Sequence, residues 1–105
     1  MSEFIKVAKT TDIPDPGKQL FEVEDHLVVL FHVGGTFTCL EDVCTHDGGT
    51  LGDGLLDGNT IACPRHGAKF DIASGKALTM PATEDTIVHK VKVEGDAVFV
   101  QINDD

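Results

Sequence analysis

Two short segments, each with one cysteine and one histidine, limit what this 105-residue chain can fold into more than any other feature. The first is Cys44-Thr45-His46, and the second is Cys63-Pro64-Arg65-His66. A thiolate and an imidazole two or three residues apart can reach neighbouring coordination positions of one metal centre without a helix to space them. The fold is therefore expected to bring two loops together around a shared metal centre.

Two kinds of centre suit two cysteines and two histidines. One is a structural zinc ion, and the other is a [2Fe–2S] cluster in which two histidines replace two cysteines on one iron. Zinc fingers with this ligand set usually pair Cys with Cys and then His with His along the chain, whereas the order here is Cys, His, Cys, His. The di-iron cluster suits this order, because each loop can give its Cys to one iron and its His to the other.

The two segments closely resemble the ligand boxes of Rieske proteins, and the resemblance extends over nearly the whole chain. The flanking residues that agree with the family are Asp47-Gly48-Gly49, Gly67-Ala68-Lys69-Phe70-Asp71, Gly75-Lys76-Ala77 and Met80-Pro81-Ala82. The resemblance implies one [2Fe–2S] cluster per chain. In that arrangement Cys44 and Cys63 bind one iron, and His46 and His66 bind the other.

Outside these boxes the pattern of apolar residues predicts short strands and no helix. The predicted strands are 4–8, 18–23, 26–33, 36–41, 60–62, 70–72, 87–93 and 97–102. Residues 42–58 are rich in Gly and Asp with little periodicity, which predicts a long functional loop holding the first box. The chain is therefore predicted to be one all-β antiparallel domain, residues 1–105. The resemblance adds a Rieske fold, in which a base β-sandwich carries a small inserted cluster-binding subdomain at about residues 42–75.

The charge and the cysteine count exclude several classes of protein. Eighteen acidic and eight basic residues give a net charge of −10, which argues against nucleic-acid binding and favours a partner with a basic patch. The N-terminus has no signal-peptide pattern, and no apolar run is long enough to span a membrane. We expect a cytoplasmic protein without a membrane anchor. If Cys44 and Cys63 bind metal, Cys39 has no disulfide partner and is expected to be a buried, inert thiol.

Departures from the respiratory Rieske pattern indicate a particular type within the family. Respiratory members have a disulfide between the loops, and the matching positions here are Gly49 and Arg65. They also have hydroxyl donors to the cluster sulfurs, and the matching positions here are Ala68 and Phe70. The sequence thus resembles the low-potential ferredoxins of bacterial aromatic-ring dioxygenases. Gly48, Gly49 and Gly67 are expected to let backbone N–H groups approach the sulfur atoms.

The resemblance implies an electron carrier rather than an enzyme. It would pass single electrons from a flavin reductase to a terminal ring-hydroxylating oxygenase, as a monomer with transient partners. Three alternatives remain: the small subunit of an assimilatory nitrite reductase, a structural zinc protein, and the Rieske part of a catalytic oxygenase. The last needs a mononuclear iron held by two His and a carboxylate. The chain is short for that, and His26, His32 and His89 are scattered along it, as expected of surface or packed histidines.

Overall fold

The computed structural model describes residues 3–42, 51–64, 67–79 and 85–103. Within these ranges all regular elements are β-strands, and no helix occurs. In chain order the strands are β1 (Ile5–Lys9), β2 (Gly17–Val23), β3 (His26–Val33), β4 (Thr36–Glu41), β5 (Leu55–Asp57), β6 (Thr60–Ala62), β7 (Lys69–Asp71), β8 (Val88–Glu94) and β9 (Ala97–Gln101). Every pair of neighbouring strands is antiparallel. The predicted all-β antiparallel fold is confirmed.

The larger sheet has the strand order β1-β9-β8-β4-β3-β2. It consists of two three-stranded halves, joined where Cys39 pairs with His89 and Leu40 pairs with Val88. One apolar cluster takes side chains from both halves, and its buried members are Ala8, Ile13, Val23, Val28, Leu30, Cys39, Val98, Val100 and Ile102. The halves therefore pack face to face as a base β-sandwich, built from strands near both ends of the chain.

The smaller sheet, β5-β6-β7, lies between β4 and β8 in the chain and packs on the other face of β3 and β4. The second apolar cluster joins the two sheets, and its buried members are Val29, Phe31, Leu40, Leu51, Ile61, Cys63, Ala68, Phe70 and Ile72. Residues 28–31 of β3 are fully buried because successive side chains enter the two clusters alternately. This double burial explains why β3 is apolar almost throughout.

The predicted strands are present with small shifts at their ends, but one strand was missed. β5 lies inside residues 42–58, which the sequence predicted to be loop, so that prediction was wrong for Leu55–Asp57. The reason is that Leu55 and Asp57 are exposed and only Leu56 faces inward, which leaves no periodic signal. The segment is a strand because it pairs with β6, a contact that local propensity does not report. In the described part of the chain, no helix is long and apolar enough to cross a membrane.

The start of β5 depends on a glycine at position 54. A Cβ added to Gly54 would lie 1.8 Å from the carbonyl oxygen of Ala62 in β6, so any side chain would push the two strands apart. Gly58, in the turn between the same strands, is a matched control, since it has a φ of +58° but open space around the Cβ position. We expect Gly58→Ala to lower the thermal midpoint by about 5 °C, from the left-handed backbone penalty alone.

Gly54→Ala should lower the midpoint by about 15 °C or more, because strand pairing itself is disturbed. Circular dichroism scans at one heating rate measure both changes. Equal effects of the two substitutions would contradict the steric role of Gly54.

Candidate metal centre

Among the four predicted ligands, Cys63 lies in the described part of the chain. It follows β6 directly and is 2% exposed. Its N–H donates to the carbonyl oxygen of Ala68 at 2.7 Å, and its own carbonyl oxygen accepts the N–H of Gly67 at 3.0 Å. These two bonds close a tight turn and fix the backbone of Cys63. Cys44, His46 and His66 lie outside the described residues.

The turn after Cys63 requires a glycine at position 67. Its φ is +74°, a conformation that side chains rarely adopt. Apart from its chain neighbours, no atom of the described residues lies within 4 Å of the position a Cβ would take. The backbone conformation, rather than crowding by the protein, therefore requires glycine at this position. Gly48 and Gly49, which the sequence analysis expected to act in the same way as Gly67, lie outside the described residues.

The segment that carries the first box is held where it leaves and rejoins the described structure. Asp42 follows β4 directly, and its N–H donates to the carbonyl oxygen of Leu27 at 2.8 Å. Its carboxylate oxygen Oδ1 accepts the N–H of Leu51 at 2.9 Å and of Gly52 at 2.6 Å. Leu51 is fully buried in the same apolar cluster as Cys63. The chain on either side of residues 43–50 is thus fixed close to Cys63, through an aspartate that the sequence analysis did not single out.

The other described cysteine occupies a different environment. Cys39 is fully buried in the cluster between the two halves of the base, whereas Cys63 belongs to the cluster under the small sheet. Burial, together with the nearby charge of Glu41, raises the pKa of the Cys39 thiol to about 12. A thiol with so high a pKa is protonated at neutral pH and a poor metal ligand or nucleophile. The expected burial of Cys39 is confirmed.

The chemistry of the donor set and the setting of Cys63 fit a [2Fe–2S] cluster. Cys63 is buried in a turn whose backbone is already hydrogen-bonded, so the backbone of this residue needs little further ordering to bind a metal. Ala68, in the same turn, and Phe70, in β7, are both fully buried. Neither side chain carries a hydrogen-bond donor, as expected from the sequence, so neither can donate to a sulfur atom near Cys63.

A second cluster of ligand-type groups lies in the base and was missed by the sequence analysis. The carboxylate oxygen Oε1 of Glu41 lies 2.8 Å from Nε2 of His89 and 3.1 Å from Nδ1 of His26. The expectation of surface or packed histidines is confirmed for both residues, since His89 is buried and the His26 side chain is 32% exposed. The sequence analysis did not foresee that the two meet at Glu41. Strand pairing brings them together, because β3 and β8 flank β4 and these side chains lie on the same face. No local sequence pattern indicates this meeting, because Glu41 and His89 are 48 residues apart.

Two histidines and a carboxylate match the ligand set of a mononuclear iron site, but the hydrogen bonds here do not fit a metal. Nδ1 of His89 accepts the backbone N–H of Asn103 at 2.9 Å. Nε2 of the neutral ring must then carry the proton, which it donates to Glu41. A metal would need the lone pair of Nε2 and a proton on Nδ1, opposite the Asn103 N–H. The group is therefore a hydrogen-bonded network that ties β8 and the C-terminal segment to β4.

His32 is also a packed histidine, as expected. Its Nδ1 lies 2.8 Å from the carbonyl oxygen of Ile13, to which it donates, and its ring stacks on Phe37 with centroids 4.0 Å apart. Its Nε2 lies 3.7 Å from the carboxylate of Asp15. The pKa of Asp15 is lowered, chiefly because the carboxylate accepts the N–H groups of Gly35 and Gly34. This arrangement anchors the turn before β2.

The fold and this site define a class of protein. The chain matches the Rieske [2Fe-2S] domain family over residues 3–101. It therefore belongs to that family, and the family's defining group is one [2Fe–2S] cluster.

Its relatives identify the type within the family. The chain is 35% identical over 99 residues to the 3-phenylpropionate/cinnamic acid dioxygenase ferredoxin subunit of Shigella boydii serotype 4 (strain Sb227), covering 93% of this chain and 92% of that one. A chain from a structure described as a complex of reduced oxygenase and oxidized ferredoxin in carbazole 1,9a-dioxygenase is 31% identical, with a TM-score of 0.87 and coverage of 93% and 92%.

The ferredoxin of carbazole 1,9a-dioxygenase from Nocardioides aromaticivorans IC177 has the same fold, with a TM-score of 0.89 at 22% identity, covering 92% of this chain and 95% of that one. These ferredoxin components carry electrons and are not themselves the catalytic enzymes.

The network around Glu41 gives a testable expectation for stability. His89 is fully buried with both ring nitrogens bonded, whereas the side chain of His26 is 32% exposed. His89→Ala should destabilise the protein by about 2–3 kcal/mol, because it removes one of the two histidine partners of Glu41 and leaves the Asn103 N–H without its acceptor. His26→Ala should cost less than about 1 kcal/mol.

Thermal midpoints measure the difference between these variants, and iron analysis is the control. Iron content per folded chain should be unchanged in both variants, since neither residue is a predicted cluster ligand. Equal destabilisation, or a loss of iron in either variant, would contradict this description of the network.

Proposed function

We propose that this chain is the electron-carrying ferredoxin of a multicomponent aromatic-ring-hydroxylating dioxygenase. It accepts single electrons from a flavin-dependent reductase and delivers them to a terminal oxygenase. The observation that carries the proposal is the 35% identity to a dioxygenase ferredoxin subunit over nearly the full length of both chains. The relatives described above favour this role over the small subunit of an assimilatory nitrite reductase.

The proposed ligands are Cys44 and Cys63 on one iron, and His46 and His66 on the other. The position of Cys63 supports the set, because its sulfur atom lies in a closed turn at the end of β6. The proposed cluster-binding subdomain, about residues 42–75, contains both boxes and β5 to β7. Its insertion between β4 and β8 leaves the base sandwich free to support it, so the cluster and the base together form the single domain proposed for residues 1–105.

The bound [2Fe–2S] group supplies a centre that stores one electron. Two thiolates and two neutral imidazoles balance the charges of two ferric ions and two sulfides, so the oxidised centre is formally neutral and easier to reduce than an all-Cys cluster. The chain tunes this potential through the groups near Cys63. Because Ala68 and Phe70 cannot donate hydrogen bonds, we place the potential toward the lower end of the Rieske range, about −150 mV rather than +300 mV.

The acidic surface supports a carrier that exchanges partners. A net charge of −10 attracts a partner with a basic patch over long distances and speeds the encounter. A carrier must also leave after each transfer, so the interface is proposed to be small, below about 1,200 Å² in total. We include a monomeric state in the proposal, since one molecule must bind two enzymes in turn. The proposed location is cytoplasmic.

The direct test combines spectroscopy with electron transfer. The purified protein should contain two irons and two acid-labile sulfides per chain and show a Rieske-type EPR signal when reduced. It should restore substrate turnover when added to a flavin reductase and a terminal oxygenase of an aromatic dioxygenase system. Turnover should fall as salt rises, because screening weakens attraction between oppositely charged partners.

His46→Ala and His66→Ala should abolish both the EPR signal and the transfer, while His26→Ala, the matched control, should retain both. Stoichiometric zinc without labile sulfide would overturn the cluster assignment. Efficient electron delivery to an assimilatory nitrite reductase, but to no oxygenase, would overturn the assigned partner.

A separate expectation concerns the tuning of the potential. Ala68→Ser places a hydroxyl in the turn that Cys63 closes, where it can donate to a sulfur atom and stabilise the added electron. The midpoint potential should rise by about 60 mV, which corresponds to about 1.4 kcal/mol for one electron. Ala62→Ser is the control, because Ala62 pairs with the exposed residues Leu55 and Lys69 on the other face of the small sheet.

Protein-film voltammetry measures both variants. The control should leave the midpoint potential unchanged. No rise in Ala68→Ser would mean that this side chain does not reach a sulfur atom.

A further inference from the structure

We propose that Asp42 is a positioning residue for the iron–sulfur cluster, which acts by closing the segment that carries Cys44 and His46. Asp42 is not a ligand in this proposal. The inference rests on the proposed ligand set, and the experiment below separates a failure of that set from a failure of the inference.

The first step is that the backbone of Asp42 is fixed by the base. Its N–H donates to the carbonyl oxygen of Leu27, at the start of β3. The preceding residue, Glu41, donates its N–H to the carbonyl oxygen of Ile87 at 2.8 Å. The point at which the chain leaves the sheet is thus bonded to segments on both sides of β4. A side chain at position 42 therefore has a rigid support.

The second step is that one carboxylate oxygen of Asp42 accepts hydrogen bonds from the chain that follows the first box. Oδ1 accepts the N–H groups of Leu51 at 2.9 Å and Gly52 at 2.6 Å. Hydrogen bonds to a charged acceptor are about twice as strong as those between neutral groups. Closing a loop costs conformational entropy, and these two bonds offset that cost before any metal is bound. One side chain consequently joins the described residues on either side of 43–50.

The third step links this tether to the second box. Leu51 is buried against the cluster that includes Cys63, Ala68 and Phe70. Lys18 of β2 donates from Nζ to the carbonyl oxygen of Gly52, which adds a further hydrogen bond to the segment that Asp42 binds. The carboxylate of Asp42 therefore fixes Leu51 and Gly52, the first described residues after the first box, relative to the turn of Cys63. Cluster ligation needs this relation between the two boxes.

The test compares substitutions that remove the acceptor with one that retains it. Asp42→Ala removes both hydrogen bonds, whereas Asp42→Asn keeps an oxygen that can accept them. Loss of the cluster under a chelator, followed by its visible absorbance, should be about 10-fold faster in Asp42→Ala and less than about 3-fold faster in Asp42→Asn. The EPR g-values should shift in Asp42→Ala and be restored in Asp42→Asn. Asp57→Ala, an exposed position in β5, is the control and should behave as the unmodified protein.

A second pair of variants decides the case if Asp42→Ala does not fold. Lys18→Met removes the donor to Gly52 but retains most of the side chain, and Lys6→Met is its control on the exposed face of β1. Lys18→Met should lose the cluster about 3-fold faster than Lys6→Met. Unchanged cluster loss and EPR in Asp42→Ala, or equal rates in the two lysine variants, would overturn the proposal. If Cys44→Ser still assembles the native cluster, the error lies in the proposed ligand set rather than in the role of Asp42.

Discussion

The hydrogen bonding of β4 to β3 on one side and to β8 on the other is the constraint on which the rest of the structure depends. It joins the two halves of the base through the Cys39–His89 and Leu40–Val88 pairs. It also sets where the strand ends, since Glu41 is the last residue of β4 and Asp42 begins the segment of the first ligand box. The point at which the chain leaves the sheet toward that box therefore follows from strand register.

The alternation of side chains along β3 and β4 separates two chemical environments. Cys39 lies in the apolar cluster of the base, and Phe31 and Leu40 lie in the cluster beneath the small sheet, together with Cys63. The sheet thus keeps a deeply buried thiol, whose pKa is raised to about 12, away from the cysteine that is a candidate ligand. The alternation of strand faces thus places Cys39 and Cys63 in two separate apolar clusters.

Glu41 and Asp42 are adjacent in the chain, but the same alternation of side chains directs their carboxylates to different partners. Glu41 binds two histidines of the base, and Asp42 binds the backbone of the returning ligand segment. The first network has the composition of a metal site, yet the tautomer fixed by Asn103 makes His89 a donor to Glu41. Composition and proximity therefore do not define a metal site, because the protonation of each ring nitrogen decides whether a lone pair is available.

The sequence by itself determined the all-β class, most strand positions and the Cys/His spacing that indicates a Rieske protein. These features are local, because strand alternation and ligand spacing involve residues close together in the chain. Only the tertiary structure revealed β5, the meeting of His26 and His89 at Glu41, and the bonds from Asp42 to Leu51 and Gly52. Glu41 and His89 are 48 residues apart, and β5 is a strand only because β6 pairs with it. Such contacts depend on the register of paired strands, which the packing of the whole chain determines and no local pattern records.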